Sequence, residues 1–154
     1  MDAFVFDERN GLQIAEISDA TKEKIKTVYP EWWRVRSPVD VWTAIEASGF
    51  EATYSTVTRA LLEDDAVDAV IIITGAIDWM PGGDVAALIA DLKDRYPVKP
   101  VMAVMPLGDR QIYLDMHRGF QARGIPGYVS DEEAIFSLAA LYRYRRSLDH
   151  SKSS

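Results

Sequence analysis

Two loops gather the residues of this chain whose types and spacing could do chemistry. The first reads TGAIDWMPGG from Thr74 to Gly83, and the second reads PLGDR from Pro106 to Arg110. Each follows an apolar run and leads into a helical pattern. Unpaired N–H groups and the helix dipole favour an anion at such an N-terminus. Gly82 and Gly83 would let a ligand approach the backbone closely. Against this, Asp78, Asp84 and Asp109 occupy the same loops and would repel a phosphate. Glycines also serve ordinary strand-to-helix turns. Both readings stay open, as an anion site and as turn chemistry. The candidate ligand or partner residues are Thr74, Gly75, Asp78, Gly82, Gly83, Gly108, Asp109 and Arg110. None of them is assigned a catalytic role. The lysine and hydroxyl of a phosphate loop are missing after the glycines.

Other chemistries find little support. The chain has no cysteine, which excludes disulfides, thiolate catalysis and cysteine zinc sites. Its two histidines, His117 and His150, are too few and too far apart for a metal site. His117 reads as a surface or half-buried helical residue, and His150 as a solvated one. Glu63, Asp64 and Asp65 read as a solvated helix end. No serine sits in a nucleophile elbow. Trp32 and Trp33, with Arg34 and Arg36, could stack on a planar ligand. Packing under a loop, or at a protein interface, is the preferred reading of that pair. Asp7 and Glu8 follow a short apolar run, as the acidic pair of receiver domains does. The last strand region, IPGYVSDEE, has no lysine, so the receiver reading fails.

The elements that must position the two loops alternate regularly. Residues 67–74 and 100–105 are near-continuous apolar runs, as expected for strands covered on both faces. A short third strand is expected at 125–129. Between them, Val85, Leu88, Ile89 and Leu92 mark one helix, and Ile112, Met116 and Phe120 another. Asp109 can cap the second, and Gly124 stops it. Ser130 with Glu133 is a capping-box signature for a last helix with Ile135, Leu138, Ala139 and Tyr142 on one face. A helix with Val57, Ala60 and Leu61 on one face precedes the first strand. Such alternation argues for parallel strands with helices on both faces.

The first third is less regular. A strand is expected at 3–6, and an edge strand at 12–17 after the Asn10–Gly11 turn. Ser18 or Asp19 caps an expected helix through Tyr29, with Ile25, Val28 and Tyr29 as its apolar residues. Residues 30–38 read as a long loop. The organisation expected is a single domain over residues 1–148 and a polar, frayed tail over 149–154.

Composition bounds the partners. The 154 residues carry a formal net charge of −7, with 48% hydrophobic and 27% charged residues. An acidic surface repels nucleic acid and anionic membranes. No run approaches the roughly 18 apolar residues of a membrane span. The chain reads as cytoplasmic.

Several segments in order resemble one known family. These are GLQIAEISDATKEKIKTVYP, SPVDV, TRALLEDDAVDAVIIIT, KPVMAVMPLG and GIPGYVSDEEAIFSLAALYRYRR. Together they are similar to the succinyl-CoA-ligase-like flavodoxin-type domain of NDP-forming acyl-CoA synthetases. Ser37 to Asp40 stands at that family's Asn-Pro-Val-Asp turn. Asp64 to Ala69 stands at its acidic run before a strand, and Lys99 to Val101 and Gly124 to Pro126 at two later strands.

The resemblance implies an α/β, three-layer, flavodoxin-like (Rossmann-like) parallel sheet, lacking the first strand-helix unit with its Gly-rich loop. It also implies part of an acid–CoA ligase that interconverts an acyl-CoA and a nucleoside diphosphate with an acid, CoA and a nucleoside triphosphate. CoA and nucleotide are cofactors of the full enzyme, and CoA-binding and ATP-grasp segments are the implied partners. The family's phosphohistidine has no match at His117 or His150, so this chain is not catalytically complete alone. A missing unit would leave apolar surface open, which favours a homo-oligomer or a partner subunit. The alternative is a non-catalytic binding or assembly module that kept the fold without the ligase chemistry.

Overall fold

The two longest apolar runs become neighbouring strands. In the computed structural model, which describes residues 11–78 and 84–152, β1 (Val70–Ile73), β2 (Val101–Val104) and β3 (Gly127–Tyr128) form a parallel sheet in that order. Val70 pairs with Val101 and Ile73 with Val104, and Ala103 pairs with Gly127. β2 is central and buried at all four residues, as a continuous apolar run should be. β1 alternates between buried and half-buried, because successive side chains face opposite sides of the sheet and one side is covered more fully. It is also shorter than the expected 67–74. Val67 belongs to a turn, where its N–H donates to Asp64 O at 3.0 Å.

Helices fill the intervals. α3 (Phe50–Glu63) precedes β1, α4 (Val85–Arg95) joins β1 to β2, α5 (Arg110–Ala122) joins β2 to β3, and α6 (Asp131–Lys152) closes the chain. α3, α4 and α5 pack side by side, while α6 rests on β2 and β3. Between them lies a core with Leu62, Ile89, Ala103, Val104, Phe120 and Ile125 at 0–1% exposure. The layered α/β architecture expected from the alternation is therefore present.

The caps follow the sequence closely. Ser18 Oγ accepts from Thr21 N at 3.2 Å and starts α1 (Asp19–Lys26). Ser130 Oγ accepts from Glu133 N at 3.2 Å and starts α6. Ile25, Val28 and Tyr29 are buried as expected, although α1 ends at Lys26 and the other two sit in the following turn.

Three expectations change. Residues 12–18 form no strand among the described residues, and Ile17 is instead a 4%-exposed core anchor. The strand expected at 3–6 lies outside the described residues. An unexpected helix, α2 (Trp42–Ser48), follows the long loop, and α3 starts at Phe50, seven residues before Val57. Gly49 makes that α2–α3 corner possible, with φ at +84°, where a side chain would be strained. The polar residues after 148 continue α6 to Lys152 rather than fraying from it.

Candidate functional site

The two candidate loops meet at the C-terminal end of the sheet and are bonded to each other. Ala76 and Gly108 form an isolated parallel bridge. Ala76 N donates to Leu107 O at 2.9 Å, and Asp109 N donates to Ala76 O at 2.8 Å. Gly108 has φ +128°, and a Cβ there would lie 2.1 Å from Ala76 O. The backbone contact thus accounts for this glycine without a ligand. At Gly75 the constraint is weaker, since a Cβ on it would meet only side-chain ends, Ile77 Cδ1 at 2.7 Å and Leu107 Cδ1 at 3.3 Å. Thr74 is 5% exposed, and its N–H extends the sheet ladder to Val104 O at 2.9 Å. Its Oγ1 lacks a well-formed hydrogen bond. The neighbouring Tyr54 hydroxyl donates to Ile73 O at 3.4 Å. Burial pushes that phenol's pKa up, and Thr74 opposes the rise.

Both helix N-termini beside these loops are already closed by carboxylates of the chain itself. Asp109 Oδ1 accepts from Gln111 N at 2.7 Å and from Ile112 N at 3.1 Å. Asp84 Oδ1 accepts from Ala87 N at 3.0 Å, and its Oδ2 accepts from Arg123 Nη2 at 2.6 Å. The donors that would hold an anion at these helices are therefore partly spent on aspartates. Asp78 and Arg110 are exposed at the rim. Gly82 and Gly83 lie outside the described residues. The structure so brings together Thr74, Gly75, Gly108 and Asp109, with Asp78 and Arg110 around them.

Other singled-out residues fall elsewhere. His117 lies on α5, half-buried, with Nε2 3.2 Å from Gly127 O and its ring stacked on Tyr113 at 5.6 Å. This fits the half-buried helical reading. Trp33 packs against the core and stacks on Tyr29 at 5.9 Å, with Trp32 edge-on to it at 5.6 Å. Trp32 itself is 72% exposed. The Tyr29 hydroxyl donates to Asp40 O, and burial pushes its pKa up to about 12. Among the described residues, no three histidine, aspartate or glutamate side chains cluster as metal ligands. No helix among them is long and apolar enough to cross a membrane.

Asp64 is the main residue that sequence reasoning misplaced. It is not a solvated helix end. It is 6% exposed and ties α1 to the end of α3. Ser18 N donates to its Oδ2 at 2.8 Å and Ala66 N to its Oδ1 at 3.0 Å. The Thr21 hydroxyl and these two N–H groups hold its carboxyl well below the usual carboxylate range. Lys99 Nζ donates to the Asp64 carbonyl at 2.7 Å. The signal available in the sequence was an aspartate two residues before Ala66, at the spacing of an Asx turn.

No protein-family model matches the chain. Over 136 residues, 88% of its length, it is 32% identical to acetate–CoA ligase [ADP-forming] II of Archaeoglobus fulgidus. The chain resembles one domain of an NDP-forming acyl-CoA synthetase. This ligase-like domain spans only 20% of the length of that relative. The solved structure of PH0766 from Pyrococcus horikoshii OT3 shares its fold. It matches with a TM-score of 0.73 and 24% identity, over 87% of this chain and 30% of that one. The ligase-like domain therefore has the flavodoxin-like α/β fold that its segments implied.

Proposed function

We propose that this chain works as one module of an NDP-forming acyl-CoA ligase and does not complete the reaction alone. The observation that carries this reading is its 136-residue match to a fifth of an ADP-forming acetate–CoA ligase. Residues 1–148 act as one unit. CoA and nucleotide are held by CoA-binding and ATP-grasp partners, in the cytoplasm. The loop end of the sheet, with exposed Asp78, Leu107 and Arg110, is the surface offered to those partners. A contact role suits loops that are bonded to each other and helix N-termini that carry their own carboxylates.

The same closed N-termini favour a second reading, an assembly module without ligase chemistry. One experiment separates the two. The chain is mixed with the CoA-binding and ATP-grasp proteins of its own organism, and acyl-CoA-dependent phosphorylation of ADP is measured. The ligase reading expects a complex seen by native mass spectrometry and activity only when all three are present. Calorimetry of the isolated chain with CoA, ADP and phosphate should give no heat. Absence of both complex and activity overturns the ligase reading and leaves the assembly module.

A further inference from the structure

The last helix has two unlike faces. Its inner face carries Ala134, Ile135 and Ala139, at 0%, 7% and 0% exposure. From 140 to 148 every residue is exposed, so α6 runs on past the sheet it rests on. On the outer face stand Phe136 and Tyr144, 59% and 62% exposed, four residues to either side of Ala140. Steps of four residues put these three side chains on one stripe. The first turn is acidic, with Asp131, Glu132 and Glu133. Arg143 and Arg145 lie beyond Ala140 and are exposed.

We propose that this stripe is where two copies of the chain pair, with their α6 helices antiparallel about a twofold axis at Ala140. A twofold interface must be self-complementary, and this surface is. With Ala140 at the crossing, Phe136 lies opposite the partner's Tyr144, and the two aromatic pairs flank the axis symmetrically. Ser137 lies opposite the partner's Arg143, which brings that guanidinium within one helical turn of Glu133. Glu133 of each helix thus stands within one turn of the other helix's Arg143. The small side chain at the centre lets the helices approach, and antiparallel packing sets their dipoles in opposition. The occupant that meets all three features, apolar centre, acid at one end and base at the other, is a second α6.

Sedimentation equilibrium of the full chain tests this. The expected result is a monomer–dimer equilibrium, with a dimer of twice 17.3 kDa. Ala140→Glu should raise the dissociation constant about 100-fold or more, because it buries two like charges at the crossing. Its circular dichroism should not change, since Ala140 is exposed. Glu133→Arg and Arg143→Glu should each raise it roughly tenfold, and the double variant should return to within about threefold of the wild type. Monomer throughout the micromolar range, a dimer indifferent to Ala140→Glu, or a double variant that fails to recover would each overturn the proposal. Mass is the readout, so the outcome does not depend on the ligase reading.

Discussion

Two aspartates in this molecule do the same chemical work in unlike surroundings. Asp64 and Asp109 each accept from two backbone N–H groups at 2.7 to 3.1 Å. Asp109 is exposed, and both of its partners lie within three residues of it. Asp64 is buried, and one of its partners is 46 residues away. A local, wet bond competes with water on nearly equal terms. A distant, dry one leaves donors stranded when it is lost. Burial and reach, more than the motif, should therefore set what each carboxylate contributes.

The largest effect should come from Asp64. Asp64→Ala strands the N–H groups of Ser18 and Ala66 and loosens α1 from α3, at a cost of about 3 kcal/mol by urea unfolding. Asp64→Asn keeps an acceptor oxygen and should cost less. The pH dependence has a definite sign. The folded state holds the Asp64 carboxyl below its ordinary range, so the folded state resists protonating it. Its contribution is complete above the unfolded value of about 3.9 and is lost progressively as pH falls below it. Wild-type stability should drop more steeply than that of Asp64→Asn between about pH 5 and pH 2. Parallel curves for the two proteins would show that Asp64 does not dominate acid unfolding.

Next in size is Gly108→Ala. The clash with Ala76 O and the φ of +128° force the bonded loops apart. The expected loss is about 2 kcal/mol, with the loop amides of Ala76 and Asp109 exchanging faster with solvent. Unchanged exchange at both amides would mean that the bridge is not what holds the loops.

The sequence revealed the parts of this fold that depend on neighbours along the chain. The β2 run, the caps at Ser18, Asp109 and Ser130, and the helix faces around Ile89, Phe120 and Ala139 all follow from local spacing. What it hid depends on distant contacts. Asp64 reads as solvated because two acidic residues flank it, and only the return of α1 buries it. Gly108 reads equally well as a ligand-facing glycine, because the Ala76–Gly108 bridge joins residues 32 positions apart. α2 is seven residues long, with a single buried residue, Ala44, and so gives almost no periodic signal. The family resemblance could be read because it rests on the order of several short segments; two of them end at Thr74 and Gly108, but nothing in those segments shows that the two loops bond to each other.

A smaller effect is expected at the exposed member of the pair. Asp109→Ala removes the cap of α5 and should cost about 1 kcal/mol, a third of the Asp64 value. It also frees Gln111 N and Ile112 N beside the rim of the loop end. Sulfate should then stabilise the variant against heat more than it stabilises the wild type. Equal stabilisation of both would show that the carboxylate was not what occupied that helix end.

The smallest effect should come from Glu63, which separates charge from burial within one corner. It adjoins Asp64 in sequence and takes Lys24 Nζ at 2.7 Å and the Tyr96 hydroxyl at 3.1 Å. The hydrogen bond from Lys24 is the main cause of its lowered pKa. Its side chain is nevertheless 32% exposed, and that of Lys24 54%. Water replaces what such a pair loses, so Glu63→Gln should shift the melting temperature by less than about 2 °C. If Glu63→Gln cost as much as Asp64→Asn, charge at this corner would matter more than burial, and the contrast between Asp64 and Asp109 would need another cause.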